Sequence, residues 1–285
     1  MPSRLVEAAT READHARADL AIGQDTAIVD ILDSVERTAG IPVTILALPG
    51  MIAGACLRER EQNFIFLNGS DDPSRQRFTL AHEYGHARLG HLNMVDTHDQ
   101  MGASTKIPVE VQANAFAAAF LAPERALRAW LAANAQKQID IAALVRLATN
   151  FGMSPLAMRY RLQNTGVLTS KNTIAALDAQ IEQNEHIRTR YRLGIEDRQD
   201  SVALAKTKSL PRLPGAMQDL GLAGYERGVL TLQRLAEGLQ RPIKEIAAEL
   251  DERGIAPLVE EPATAVEDIQ LAAELDALLK EPSTE

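Results

Sequence analysis

Ala81-His82-Glu83-Tyr84-Gly85-His86 is the stretch on which the reading of this chain turns. Two histidines four apart on an α-helix are separated by about 40° around the axis and by one turn along it, so both imidazoles reach a single ion. Glu83 stands on the adjacent stripe, where its carboxylate can take a proton from water. Neutral imidazole nitrogen is a preferred zinc ligand, and a catalytic zinc site needs three protein ligands beside an open position. His-Glu-x-x-His on a helix is therefore a candidate zinc centre that carries its own base, and hydrolysis is the chemistry this combination performs.

Two histidines hold zinc weakly, so a further ligand is required. His91, His98, Glu110 and Glu124 are the candidates. His91 follows His82 by nine residues and on a continuous helix faces about 180° away; it reaches the metal only if the chain bends at Gly90. Glu110 opens a second helical stretch, Pro108 to Leu121, in which it projects from a face of Ala113, Ala117 and Phe120. A carboxylate on such a face calls for a cation. Asn114, one turn on, can accept the remaining N–H of a ligating histidine. His98 lies in the polar stretch Met94 to Lys106, read as a loop, and is a weak candidate for contacting substrate or an oxyanion. Tyr84 points away from the histidines and is assigned to the core or to a helix contact.

Around this centre the pattern is mixed. Thr26 to Thr38 repeats apolar residues at helical spacing and stops at Gly40-Ile41-Pro42. Val43 to Leu48, Met51 to Leu57 and Asn63 to Asn68 read as three short strands, the last of them placed at a sheet edge where an extended substrate can pair. The metal helix starts near Ser74 and ends at Gly90. Ile139 to Asn150 and Ser154 to Asn164 form a helix-turn-helix-like pair around Phe151-Gly152-Met153, with Ser154 as N-cap and Pro155 at the first helical position. A long polar helix over Asn172 to Leu193, a loop with Pro211 and Pro214, and a helical region over Gly228 to Arg253 follow. The expected organisation is an extension over 1–25, an α+β catalytic domain with a small sheet over 26–168, a helical region over 169–256 and an acidic tail over 257–285, with one short helix at Ile269 to Leu279.

The 285 residues carry a formal charge of −9. Most of it lies in Asp251 to Glu285, where ten acidic residues face only Arg253 and Lys280. A general nucleic-acid binder needs a net basic face, which this balance argues against. Neither an apolar leader at the start nor an apolar run long enough to span a bilayer is present in the sequence, so a cytoplasmic location and no membrane partner are expected. Cys56 is the single cysteine; it lies in an apolar run and is read as a core residue with no thiolate metal role.

Taken together, Arg77-Phe-Thr-Leu-Ala-His-Glu-Tyr-Gly-His86, Leu89-Gly-His91 and Glu110-Val-Gln-Ala-Asn-Ala-Phe-Ala-Ala-Ala-Phe-Leu-Ala-Pro123 resemble the ImmA/IrrE family of zinc-dependent peptidases. The resemblance covers roughly Thr26 to Leu168. It implies a zincin-like fold, Zn2+ held by His82, His86 and Glu110, and Glu83 as the catalytic residue. It also implies a protein substrate, a helix-turn-helix repressor whose cleavage releases transcription in a stress response. Leu-Ala-Pro at 121–123 departs from the longer aliphatic or methionine usual before that proline, a difference of packing rather than chemistry. A rival reading is a non-hydrolytic metal-binding regulator or anti-repressor. Its helix pair, with Arg146, Arg159 and Arg161, would touch protein or DNA, although in so acidic a chain those arginines are better read as a solvated or protein-contacting face.

Overall fold

The computed structural model describes residues 4–102, 105–208 and 211–257. The three expected strands form as β1 (Val43–Leu46), β2 (Ile52–Glu59) and β3 (Gln62–Asn68), and a fourth, β4 (Met94–Thr97), joins them from the stretch expected to be a loop. The sheet order is β1-β3-β2-β4. β3 is thus central, parallel to β1 and antiparallel to β2, and the expected edge position of Asn63 to Asn68 is corrected: β4 is the edge. The opposite edge, β1, is covered by a two-way backbone bridge between Ile45 and Arg212, with N–O distances of 2.8 and 2.7 Å.

Because side chains alternate across a strand, residues in register share a face. Val43 and Ile45 pair with Ile65 and Leu67; Cys56 and Gly54 pair with the same two residues and, on the other side, with Met94 and Asp96. This row is the inner face of the sheet. It is apolar and buried except at its β4 end, where Asp96 occupies it.

Two helices precede the sheet: α1 (Arg4–Asp19) and the short α2 (Ile31–Asp33), the latter running on as a π-helical turn over Ser34–Thr38. The metal helix is α3 (Pro73–Leu89), ended by Gly90 at φ 73°, a left-handed conformation that glycine adopts without steric cost. α4 (Pro108–Leu121) packs along α3 and carries Glu110 in its first turn. α1 is no loose extension. Its buried face of Ala9, Ala13, Ala16 and Arg17 lies against α4, since alanines four and three apart let two helix backbones approach closely. Arg17 is fully buried and donates from Nη1 to the Phe120 carbonyl at 2.5 Å and from Nη2 to the Thr26 carbonyl at 2.6 Å. It thereby satisfies a carbonyl in the last turn of α4 that has no helical partner, and burial lowers its pKa to about 10. Arg88 of α3 bridges to Glu12 at 2.6 Å and Asp19 at 2.8 Å of α1.

α5 (Glu124–Ala133) leads to the expected pair, α6 (Ile141–Phe151) and α7 (Pro155–Asn164), bent by 97°. Ser154 accepts from the Ala157 amide at 3.2 Å, as an N-cap does. Of its arginines, Arg146 is exposed, Arg159 is buried and paired to Asp178 at 2.6 Å, and Arg161 donates to the Ala122 carbonyl at 2.7 Å. Two of the three are therefore committed within the fold. No single helix among the described residues is long and apolar enough to cross a membrane.

The expected long helix over 172–193 is two, α8 (Lys171–Glu182) and α9 (Glu185–Arg192), broken where Asn184 takes φ 58°. α10 (Gln199–Lys206) then packs on α3. Arg77 of α3 is fully buried, ion-paired to Asp200 of α10, and donates to the Ile28 carbonyl at 2.8 Å. Gln76 donates to the Leu204 carbonyl at 3.3 Å. These contacts correct the domain boundaries expected at 25/26 and 168/169: the first compact unit is Met1–Arg212. A buried guanidinium at 77 needs its carboxylate, and that carboxylate comes from beyond residue 168. The second unit starts at Leu213 and holds α11 (Gly215–Glu226), α12 (Leu232–Gly238) and α13 (Ile243–Arg253) around Leu235, Leu239, Ile246 and Leu250. The acidic tail past Pro257 and its expected helix at Ile269 to Leu279 lie outside the described residues.

Candidate metal centre

α3 presents His82 and His86 one turn apart, with Nε2 atoms 3.0 Å from each other. α4 brings Glu110 to the same point: Oε2 lies 3.2 Å from His82 Nε2 and Oε1 lies 3.7 Å from His86 Nε2. Asn114, one turn after Glu110, sets its Oδ1 3.1 Å from His82 Nδ1. The imidazole N–H donates there, which leaves the Nε2 lone pair turned to the centre. The three expected ligands and the expected Asn114 partner are thus brought together.

His91 is where the structure adds to the sequence reading. The chain does bend at Gly90, but the bend carries His91 to the outer nitrogen of His86, with Nδ1 atoms 2.9 Å apart. His91 therefore orients His86 as Asn114 orients His82. Burial and the neighbouring His86 hold its pKa below the usual imidazole value, which suits an acceptor of the His86 N–H. His98 is not in the centre; its Nε2 is 2.9 Å from Asp71 Oδ2 in the loop before α3. Glu124 starts α5 and pairs with Arg128 at 2.8 Å on the surface.

Asp96 is the residue that sequence reasoning missed. Its Oδ2 lies 3.3 Å from His86 Nε2 and 3.7 Å from His82 Nε2. Ligand atoms of His82, His86, Asp96 and Glu110 all lie within 4.8 Å of one another, and all four residues are buried. The available signal was the alternation in Met94-Val95-Asp96-Thr97: once this is a strand, Asp96 falls on the inner face.

Glu83 is 0% exposed, and neither of its carboxylate oxygens has a hydrogen-bond partner; the same holds for both oxygens of Asp96. Burial first, and then the charge of Asp96, push the Glu83 carboxyl well above the ordinary range. Burial also raises Asp96 and Glu110 and lowers His82 and His86, but attraction between carboxylates and imidazoles outweighs it, so the acids stay below and the histidines above their usual values. A pocket of two inward imidazoles and converging carboxylates, those of Glu83 and Asp96 without a hydrogen-bond partner, has the donor set of a cation site. The residues fit zinc. The Cys56 thiol, on the same inner face, is raised to about 12 by burial and by Glu83 and Asp96, and takes no part.

A small sheet above a helix with two histidines, a base between them and a glutamate from the next helix define a zincin-type metal centre. Residues 36–163 match the family model of the IrrE N-terminal-like domain. Over 130 residues the chain is 38% identical to the radiation response metalloprotease IrrE of Deinococcus radiodurans, an alignment covering 43% of this chain and 37% of that protein. The region built on α3 and α4 is thus similar to the metallopeptidases of the ImmA/IrrE family.

Proposed function

We propose that this chain is a cytoplasmic zinc endopeptidase that cuts a helix-turn-helix repressor and so releases transcription. The observation that carries the reading is Glu83, a proton acceptor buried in the same pocket as a complete His82, His86 and Glu110 ligand set. A purely structural zinc site has no use for such a base.

His82, His86 and Glu110 would hold the metal, which when bound supplies Lewis acidity toward a peptide carbonyl. Glu83 takes a proton from the attacking water as the new C–O bond forms, and returns it to the departing nitrogen as the C–N bond breaks. Asn114 and His91 fix the two imidazoles in the tautomers and orientations that ligation needs. β4 offers the free sheet edge, so an extended substrate segment is received there by strand addition. A groove lined by Phe78, Met101, Asn114, Ala118 and Tyr160 adds surface beside His82, which Phe78 and Asn114 both touch.

The resemblance to the ImmA/IrrE family supports a repressor as the substrate, and selectivity then lies in docking, because any presented carbonyl is polarised alike. Cleavage between a DNA-reading helix and the dimer contact removes one half-site and frees the operator. The test incubates zinc-loaded protein with helix-turn-helix repressors encoded nearby, and follows fragment mass and operator release together. Release by Glu83→Gln without fragments would make the protein an anti-repressor that acts by binding.

A further inference from the structure

We propose that Asp96 would serve as a fourth protein ligand of the metal, and that the fold is a latent form in which the Asp96 carboxylate closes the site to substrate. The inference rests on the zinc-peptidase reading above and adds a residue and a gate to it. Asp96 shares the inner sheet face with Gly54, its register partner, and Leu67, which pairs with Gly54 on the other side, so its carboxylate points at α3 rather than at solvent. It stands within ion-pair distance of both inward imidazole nitrogens, has no other partner, and is 0% exposed. With Glu110 it makes a set of two imidazoles and two carboxylates, the four-ligand closure typical of structural zinc rather than the three-ligand set of catalytic zinc.

Accessibility supports the second half. His82, Glu83, His86 and Asp96 are all 0% exposed and Glu110 is 1% exposed, so no peptide carbonyl reaches the centre without a movement of the fold. α3 and α4 are packed against each other and against α1, and β2 is held between β3 and β4. β4 is the element with least to hold it: four residues, bonded on one side only, with Val95 50% exposed. Outward displacement of β4 withdraws Asp96 from the two imidazoles. A substrate strand pairing on the free edge of β4 is placed to drive it.

The test compares full-length wild type with Asp96→Ala and Asp96→Asn, by zinc competition with a chromophoric chelator, by visible spectra of the Co2+-substituted proteins and by zinc-saturated peptide hydrolysis. The expected results are zinc affinity roughly tenfold weaker in Asp96→Ala, equal to about 1.4 kcal/mol less zinc-dependent stabilisation, a changed cobalt spectrum, and several-fold faster cleavage of a short unstructured peptide. Unchanged affinity with an unchanged spectrum would remove Asp96 from the ligand set. A changed spectrum with slower cleavage would overturn latency. A changed spectrum with no hydrolysis by any form, wild type included, would keep the ligand and overturn the peptidase reading instead. Thermal unfolding of the metal-free forms is the folding control: Asp96→Ala and Asp96→Asn should both melt cooperatively, at a somewhat lower temperature than wild type because the attraction of Asp96 to His82 and His86 is lost.

Discussion

Gly54 of β2 and Glu83 of α3 are in such close approach that a Cβ on Gly54 would stand 2.7 Å from Glu83 Oε1 and 2.6 Å from Thr79 Cγ2, with the Phe66 carbonyl 3.1 Å away. The missing side chain is what lets the base lie under the sheet. Gly54→Ala should push β2 off α3, cost about 1–3 kcal/mol as an overpacked core does, and cut hydrolysis. Chemical denaturation and activity measured together check it.

Glu83→Gln keeps the shape of the side chain but cannot accept the water's proton. Metal content should stay at wild-type level while hydrolysis falls by roughly 10²–10⁴. Metal analysis beside turnover of the same preparation separates the two, and undiminished turnover would remove Glu83 from the mechanism.

The ligand assignments divide by the expected loss of zinc. Glu110→Ala should leave the purified protein largely metal-free. His91→Ala and Asn114→Ala should still bind zinc, with affinity lowered about 10- to 100-fold, the usual effect of removing the partner that orients a ligating histidine. Chelator competition measures both; a metal-free His91→Ala beside a fully loaded Glu110→Ala would reverse the assignment.

The metal-free protein should lose stability as pH rises from about 5 to 8. Glu83, His82 and His86 all have raised pKa values in the fold, so the native state binds more protons than the unfolded chain above the ordinary values of 4.5 and 6.5, and stability falls through that window. His91, lowered and partly exposed, acts in the opposite sense and more weakly. Asp96 and Glu110, both lowered, contribute above their ordinary values and lose that contribution only at more acid pH. Zinc affinity should rise over the same window, because ligands bind deprotonated. Melting temperatures of apo and zinc-loaded protein across pH should therefore diverge, and parallel curves would contradict the assignment.

Arg77 joins α3 to α10 through Asp200, so the unit that carries the candidate site needs residues that the family match leaves out. Residues 1–212 should fold alone, whereas 1–168, stripped of Asp200, should not give a cooperative melt. Arg77→Ala in the full chain should cost about 3–5 kcal/mol, the effect of leaving one member of a buried pair without its partner. Stable, zinc-binding 1–168 would show that α10 is dispensable.

Local chemistry already wrote much of this protein into its sequence. His82, Glu83 and His86 share a helix, and helical geometry alone brings two imidazoles and a base together; Gly90, Pro108, Ser154 and Pro155 punctuate their helices by conformational limits that act within a few residues. What tertiary structure alone decided depends on partners distant in the chain. β4 is four residues of weak alternation that become a strand only by pairing with β2, and Asp96 enters the centre only because that pairing sets it beside Gly54. Ala9, Ala13 and Ala16 show little apolar pattern until α4 lies against them. Arg77 is buried only because Asp200, 123 residues later, supplies its carboxylate. Ligands supplied by one helix are fixed by its pitch, while register across a sheet and the pairing of buried charges exist only once the chain has closed on itself.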